Sequence, residues 1–128
     1  MKSVYYTFFI SFLYSFLGAQ QLEYNYHEDK WQYAREGDEL KYNYMEDRWD
    51  LSQPSEKLRY NYLEDEWQHA KPESKLNYNY LEDEWDFTES NERLKYNYQE
   101  DKWEYTKPNA QLKYNYFEGK WEYVEPED

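Results

Sequence analysis

Leu22, Leu40, Leu58, Leu76, Leu94 and Leu112 stand eighteen residues apart, and each opens the same phrase, Leu-x-Tyr-Asn-Tyr-x-Glu-Asp-x-Trp. Only the last copy departs at the acidic pair, where Glu118-Gly119 replaces Glu-Asp. A strict period of this length marks a repeat architecture, in which each small unit needs its neighbours to cover its apolar surface. Magnitudes agree. Four or five aromatics in one unit remove at most ~800–1000 Å² from water, worth roughly 20–25 kcal/mol. Ordering eighteen residues costs about 27 kcal/mol at ~1.5 kcal/mol each. One copy alone should not fold.

Within a copy the large apolar groups alternate with polar ones. In Leu94-Lys95-Tyr96-Asn97-Tyr98-Gln99-Glu100-Asp101-Lys102-Trp103-Glu104-Tyr105 the alternation runs on both sides of the acidic pair. That is the period of a strand, filled with β-prone Tyr and Trp, and the i, i+3, i+4, i+7 spacing of a helix is missing. Each copy therefore reads as a β-hairpin turning at Glu-Asp. An even loop of two or four residues, such as Leu63 to Glu66, sets Tyr98 opposite Trp103 and Tyr96 opposite Tyr105. Leu94, Tyr96, Tyr98, Trp103 and Tyr105 then share one face and Asn97 takes the other. A three-residue loop would instead bring the Trp to the Asn face, beside the position held by Met45, Leu63, Leu81 and Phe117. Of the six turns, only Glu118-Gly119 looks suited to a positive φ.

Polar connections follow each hairpin. Pro54, Pro72, Pro108 and Pro126 recur at equivalent places, with Gly37 in the first connection and Ser90-Asn91 in the fourth. Proline donates no ladder hydrogen bond and ends the second strand there.

The fold class is all-β: tandem hairpins, six copies of the eighteen-residue unit, forming an antiparallel meander or a hairpin superhelix. A parallel solenoid is the alternative. It would stack Asn25, Asn43, Asn61, Asn79, Asn97 and Asn115 into a hydrogen-bonded ladder. It would also line up like charges about 4.8 Å apart, which opposes it. The aromatic face must be covered by curling of the sheet or by a second chain, so self-association is an expectation too.

The domain plan is residues 1–20 as a signal peptide and 21–128 as the repeat domain. Met1-Lys2 gives a positive start, Val4 to Leu17 is an uncharged apolar run, and Gly18-Ala19-Gln20 supplies small residues at the cut. The run is too short for a membrane span. Export to the periplasm or the outside of a bacterial cell is the expected location. No cysteine is present, so packing rather than disulfides must hold the exported chain.

A net charge of −13 argues against nucleic acid, which is held by Lys and Arg on phosphate. High charge with a mean hydropathy of −1.43 would ordinarily suggest disorder. The 18 Tyr and 6 Trp argue for order instead.

Catalysis has little support. His27 and His69 fall at unequal places in their copies, no Cys accompanies them, and Ser occurs only in connections after the leader. The expected protein is not an enzyme and carries no cofactor. Weak calcium binding is an alternative, through the hard oxygens of Glu28-Asp29, Glu46-Asp47, Glu64-Asp65, Glu82-Asp83 and Glu100-Asp101.

The hairpin-length aromatic copies resemble, in organisation, the hairpin repeats of bacterial cell-wall-binding modules. Those repeats are glycine-rich, whereas this chain has three glycines. The resemblance implies ligand cages between adjacent hairpins. Trp31, Trp49, Trp67, Trp85, Trp103 and Trp121 would then be the sugar-stacking residues. The expected function is a structural or interaction role in the envelope or extracellular space, with a protein or glycan partner. Carbohydrate binding through the Trp and Tyr rows, and calcium-dependent assembly, are the alternatives.

Overall fold

The computed structural model describes residues 21–126. The proposed signal peptide lies outside them. Twelve five-residue strands make six antiparallel hairpins: β1 (Gln21–Asn25) with β2 (Lys30–Ala34), β3 (Glu39–Asn43) with β4 (Arg48–Ser52), β5 (Lys57–Asn61) with β6 (Glu66–Ala70), β7 (Lys75–Asn79) with β8 (Glu84–Thr88), β9 (Arg93–Asn97) with β10 (Lys102–Thr106), and β11 (Gln111–Asn115) with β12 (Lys120–Val124). The all-β tandem-hairpin reading holds.

The register differs from expectation by one pair. Trp103 lies opposite Tyr96, and Tyr105 opposite Leu94, so the loop is the four residues Tyr98 to Asp101. Parity is kept, and Leu94, Tyr96, Trp103 and Tyr105 do share a face. Tyr98 does not join them, because it opens the loop. Two local causes place the loop there. The Asn97 side-chain oxygen accepts from the N–H of Gln99 and of Glu100 at 3.2 and 3.1 Å, holding the first half of the turn as Asn side chains do. The last loop residue then turns left-handed. Asp29, Asp47, Asp65, Asp83 and Asp101 have φ between 54° and 58°, and Gly119 has 68°. All six turns thus need a positive φ, not the last alone. Aspartate meets the need in five because its short polar side chain tolerates that region.

The connections behave as composition suggested. Gln53-Pro54-Ser55-Glu56, Lys71-Pro72-Glu73-Ser74 and Lys107-Pro108-Asn109-Ala110 close turns with i→i+3 hydrogen bonds of 3.0–3.1 Å, with proline second. The first connection uses Gly37 at φ 89°.

No continuous meander forms. Each described sheet has two strands only, and no strand pairs with the following hairpin. The hairpins instead meet one another through side chains. β1 meets β4, β3 meets β6, β5 meets β8, β7 meets β10, β9 meets β12, and β11 returns to β2. Six hairpins therefore close a ring. An interface of the head-to-tail kind repeats without end unless its rotation closes, and here six identical steps close it.

Side chains, not a ladder, hold the seams. Asn25 Nδ2 donates to the Trp49 carbonyl at 2.9 Å, and Asn43, Asn61, Asn79 and Asn97 repeat the bond to Trp67, Trp85, Trp103 and Trp121 at 2.8–3.0 Å. Asn115 completes the set on Trp31, also at 2.9 Å. In parallel, the N–H of Trp49 donates to Glu28, and those of Trp67, Trp85, Trp103, Trp121 and Trp31 donate to Glu46, Glu64, Glu82, Glu100 and Glu118, all at 2.9–3.0 Å. The outward N–H and C=O of one residue per second strand are thereby satisfied, which blunts an edge that would otherwise template another strand.

The core follows from this docking, and it is not aromatic. All six seam asparagines are 0% exposed. The small last residues of the second strands, Ala34, Ser52, Ala70, Thr88, Thr106 and Val124, are buried as well. The tryptophans are half-buried. Asparagine suits the interior because one short side chain supplies both an acceptor for its own loop and a donor for the next hairpin.

Candidate functional site

Each hairpin carries three tyrosine or tyrosine-like rows with different fates. The first is Tyr24, Tyr42, Tyr60, Tyr78, Tyr96 and Tyr114, on the strand beside the Trp. Their rings tilt against Trp31, Trp49, Trp67, Trp85, Trp103 and Trp121 with centroids 5.1–5.3 Å apart. Tyr42, Tyr60, Tyr78 and Tyr96 donate their hydroxyls to the left-handed aspartate of the same loop at 2.5–2.6 Å. Tyr24 does the same with Asp29. That carboxylate contact is the main cause raising the phenol pKa above its ordinary value in all five, since a deprotonated phenol would lose the bond and face a like charge.

The second row lies on the second strand, where it faces the preceding hairpin. Tyr33 donates to the Tyr114 carbonyl at 3.0 Å, Tyr105 to Tyr78 at 2.9 Å, and Tyr123 to Tyr96 at 2.8 Å. His69 and Phe87 take the equivalent places. His69 Nδ1 lies 3.3 Å from Asp50 of the hairpin before it, and the Arg59 guanidinium sits 4.5 Å above the Phe87 ring. Burial leads the causes that raise the Tyr33 and Tyr123 phenols. This row is seam.

The third row opens the loops: Tyr26, Tyr44, Tyr62, Tyr80, Tyr98 and Tyr116, each 67–70% exposed. Next to them in sequence stand Met45, Leu63, Leu81 and Phe117, 44–49% exposed. Because each loop is fastened to the next hairpin by its glutamate, the six loops are held in one repeated orientation. The result is a rim of apolar and aromatic groups.

Two of the tryptophans carry a stacked ring. His27 stacks on Trp49, and Phe117 stacks on Trp31 across the closing seam, each with ring centroids 4.0 Å apart. With a tyrosine tilted beside each indole as well, Trp31 and Trp49 are engaged within the ring. Met45, Leu63, Leu81 and Gln99 occupy the place of His27 and Phe117 in the other hairpins.

The acidic pairs are likewise in use. Glu28, Glu46, Glu64, Glu82 and Glu100 each receive a tryptophan N–H. Asp29, Asp47, Asp65, Asp83 and Asp101 each receive a tyrosine hydroxyl. Among the described residues no group of three or more His, Asp or Glu is placed to hold a metal ion.

The position before each tryptophan varies between copies, unlike the seam positions. Lys30, Arg48, Lys102 and Lys120 alternate in place with Glu66 and Glu84, so hairpins five, six, one and two are basic there and three and four acidic. A polar cavity of about 390 Å³ is lined by residues of the basic stretch, including Lys102, Lys120, Glu104 and Glu122. On the acidic side Asp86 is pushed up to about 6, first by burial and then by Glu84, Glu64 and Glu66.

Sequence reasoning overlooked two things: that Asn, not the rings, would be interior, and that the loop-opening Tyr would be the exposed row. The first had a signal, since Asn recurs without exception at the same place in all six copies. The second had none, because Tyr26 and Tyr24 look alike in the phrase. No helix among the described residues is long and apolar enough to cross a membrane. No family model, no curated protein and no solved structure matches this chain.

Proposed function

We propose that this chain is a non-enzymatic exported protein with a structural or interaction role in the cell envelope or extracellular space, acting through its loop rim. One observation carries the reading: Tyr26, Tyr44, Tyr62, Tyr80, Tyr98 and Tyr116 are all 67–70% exposed at the same place in the six hairpins. Large rings held in water at one edge, beside further exposed apolar side chains, mark a surface that another molecule covers. Six copies of it on one rigid ring make weak contacts add, provided the partner is itself repetitive. A polymer or an assembly of like rings meets that condition. The uncharged apolar run at residues 4–17 supports export.

Carbohydrate binding by the same rim is the second reading, favoured by phenol rings interleaved with loop carboxylates, a combination that stacks on sugar CH faces and accepts from sugar hydroxyls. Two measurements test the pair of readings. Light scattering reports whether the purified protein associates as concentration rises. Intrinsic fluorescence titrated with isolated cell-wall polysaccharide reports glycan. A variant with the six rim tyrosines changed to Ser is expected to lose whichever signal the native ring gives. A native ring that stays monomeric and ignores polysaccharide removes both.

A further inference from the structure

We propose that the rim row is a site of oxidative phenol coupling, at which rings become joined covalently by dityrosine bonds when a peroxidase-class oxidant with hydrogen peroxide acts on them. The inference rests on the structural role proposed above and names the chemistry that would make it permanent.

The three rows separate cleanly on what coupling requires. A coupling ring must release its phenolic hydrogen and bring an ortho carbon against a ring of a second molecule. In the row of Tyr24 the rings lie against tryptophans and are 39–45% exposed, and five of the six hydroxyls are bound to aspartate. In the row of Tyr33 the hydroxyls of Tyr33, Tyr105 and Tyr123 are bound to carbonyls of the preceding hairpin. Among the described residues the rings in the row of Tyr26 are the most exposed large hydrophobic side chains, and their hydroxyls make no hydrogen bond. No hydrogen bond of the fold depends on those hydroxyls.

The step balances as follows. Two phenols, one from each ring, each lose one hydrogen atom to the oxidant. The two phenoxyl radicals join ortho carbon to ortho carbon. Each ring then moves its displaced ortho hydrogen to oxygen and is a phenol again. One hydrogen peroxide takes up the two hydrogen atoms and leaves as two waters. A chain without cysteine has no disulfide to offer for the same purpose. Six coupling sites on one ring exceed the two needed for a linear polymer, so the product is a network.

The test treats the purified protein with a haem peroxidase and hydrogen peroxide. Covalent dimers and higher species that survive denaturing electrophoresis, with dityrosine fluorescence, are expected. The variant Y26F/Y44F/Y62F/Y80F/Y98F/Y116F keeps every ring and removes no hydrogen bond, so its circular dichroism and melting should match the native chain. It is expected to lose the covalent oligomers. The matching variant of the first row, Y24F/Y42F/Y60F/Y78F/Y96F/Y114F, is expected to keep them. Oligomers that persist in the rim variant, peptide maps that place the bonds in the first row, or bonds confined within single chains would each overturn the proposal. Non-covalent association measured without peroxide fails or stands separately, so loss of coupling alone leaves the rim reading intact.

Discussion

Asn61 and Tyr62 are neighbours in the chain and opposites in the fold. The polar amide is wholly buried, and the large ring beside it is 69% exposed. The same inversion recurs in all six hairpins. Hydrophobicity alone would have placed them the other way round. The difference shows that this ring is organised by hydrogen-bond satisfaction at its seams, and that its rings are shared between half-covered packing and an outward rim. A buried polar group is tolerable when all its bonds are made. Asn61 accepts from Leu63 and Glu64, and it donates to the Trp85 carbonyl and, at 3.4 Å, to Gln68.

Breaking the buried half of the comparison should have the largest effect. Asn61→Ala strands the Trp85 carbonyl and the loop N–H of Leu63, with an expected loss on the order of 3 kcal/mol in chemical denaturation. Asn61→Asp should be worse at neutral pH, because a carboxylate oxygen would face that carbonyl, and should recover in acid when the group can donate. An Asn61→Ala protein as stable as the native one would sink the account of the seams.

The glutamate half of the seam is nearer water, so a smaller effect is expected there. Glu64→Ala frees the Trp85 N–H and should cost about 1.5 kcal/mol.

The acidic arc gives an effect of opposite sign. Asp86 titrates near 6 in the fold against an ordinary 3.8, mainly through burial. Its protonated form is the one the fold prefers. That contribution is complete below 3.8 and is lost as pH rises through 6. The side chain is half-buried, so solvent screening reduces the effect to about 1 kcal/mol. Asp86→Asn should therefore stabilise the ring by that amount at pH 7 and not at pH 3, as melting at the two pH values would report.

Tyr62→Phe should do least, within about 0.5 kcal/mol, since an exposed hydroxyl without a partner contributes little. A large loss there would mean the rim is packed against something within the chain.

Much of this fold was legible before any coordinates. The period identified the hairpins, Pro54, Pro72 and Pro108 marked the ends of second strands, and parity put Leu94, Tyr96, Trp103 and Tyr105 on one side. One misreading was local. Asp65 and its equivalents were judged poor for a left-handed turn, although Asp enters that region more readily than most residues. Moving the loop by one residue then took Tyr98 and its equivalents off the shared face and out into water. The site was less legible than the fold. Trp85 and Tyr80 are both aromatic residues in an alternating pattern, and only their neighbours in space distinguish the flanked indole from the open phenol.

The eighteen-residue phrase by itself determined that the chain makes six like hairpins, because strand alternation and turn chemistry act over a few residues. It also determined that all seams must be alike, since like surfaces dock alike. Tertiary structure alone decided that the seams run from the Asn of one hairpin to the Trp backbone of the next, and that the sixth returns to the first. Closure depends on the angle turned at each seam. That angle is set by how two faces seat on one another, a property no single hairpin contains.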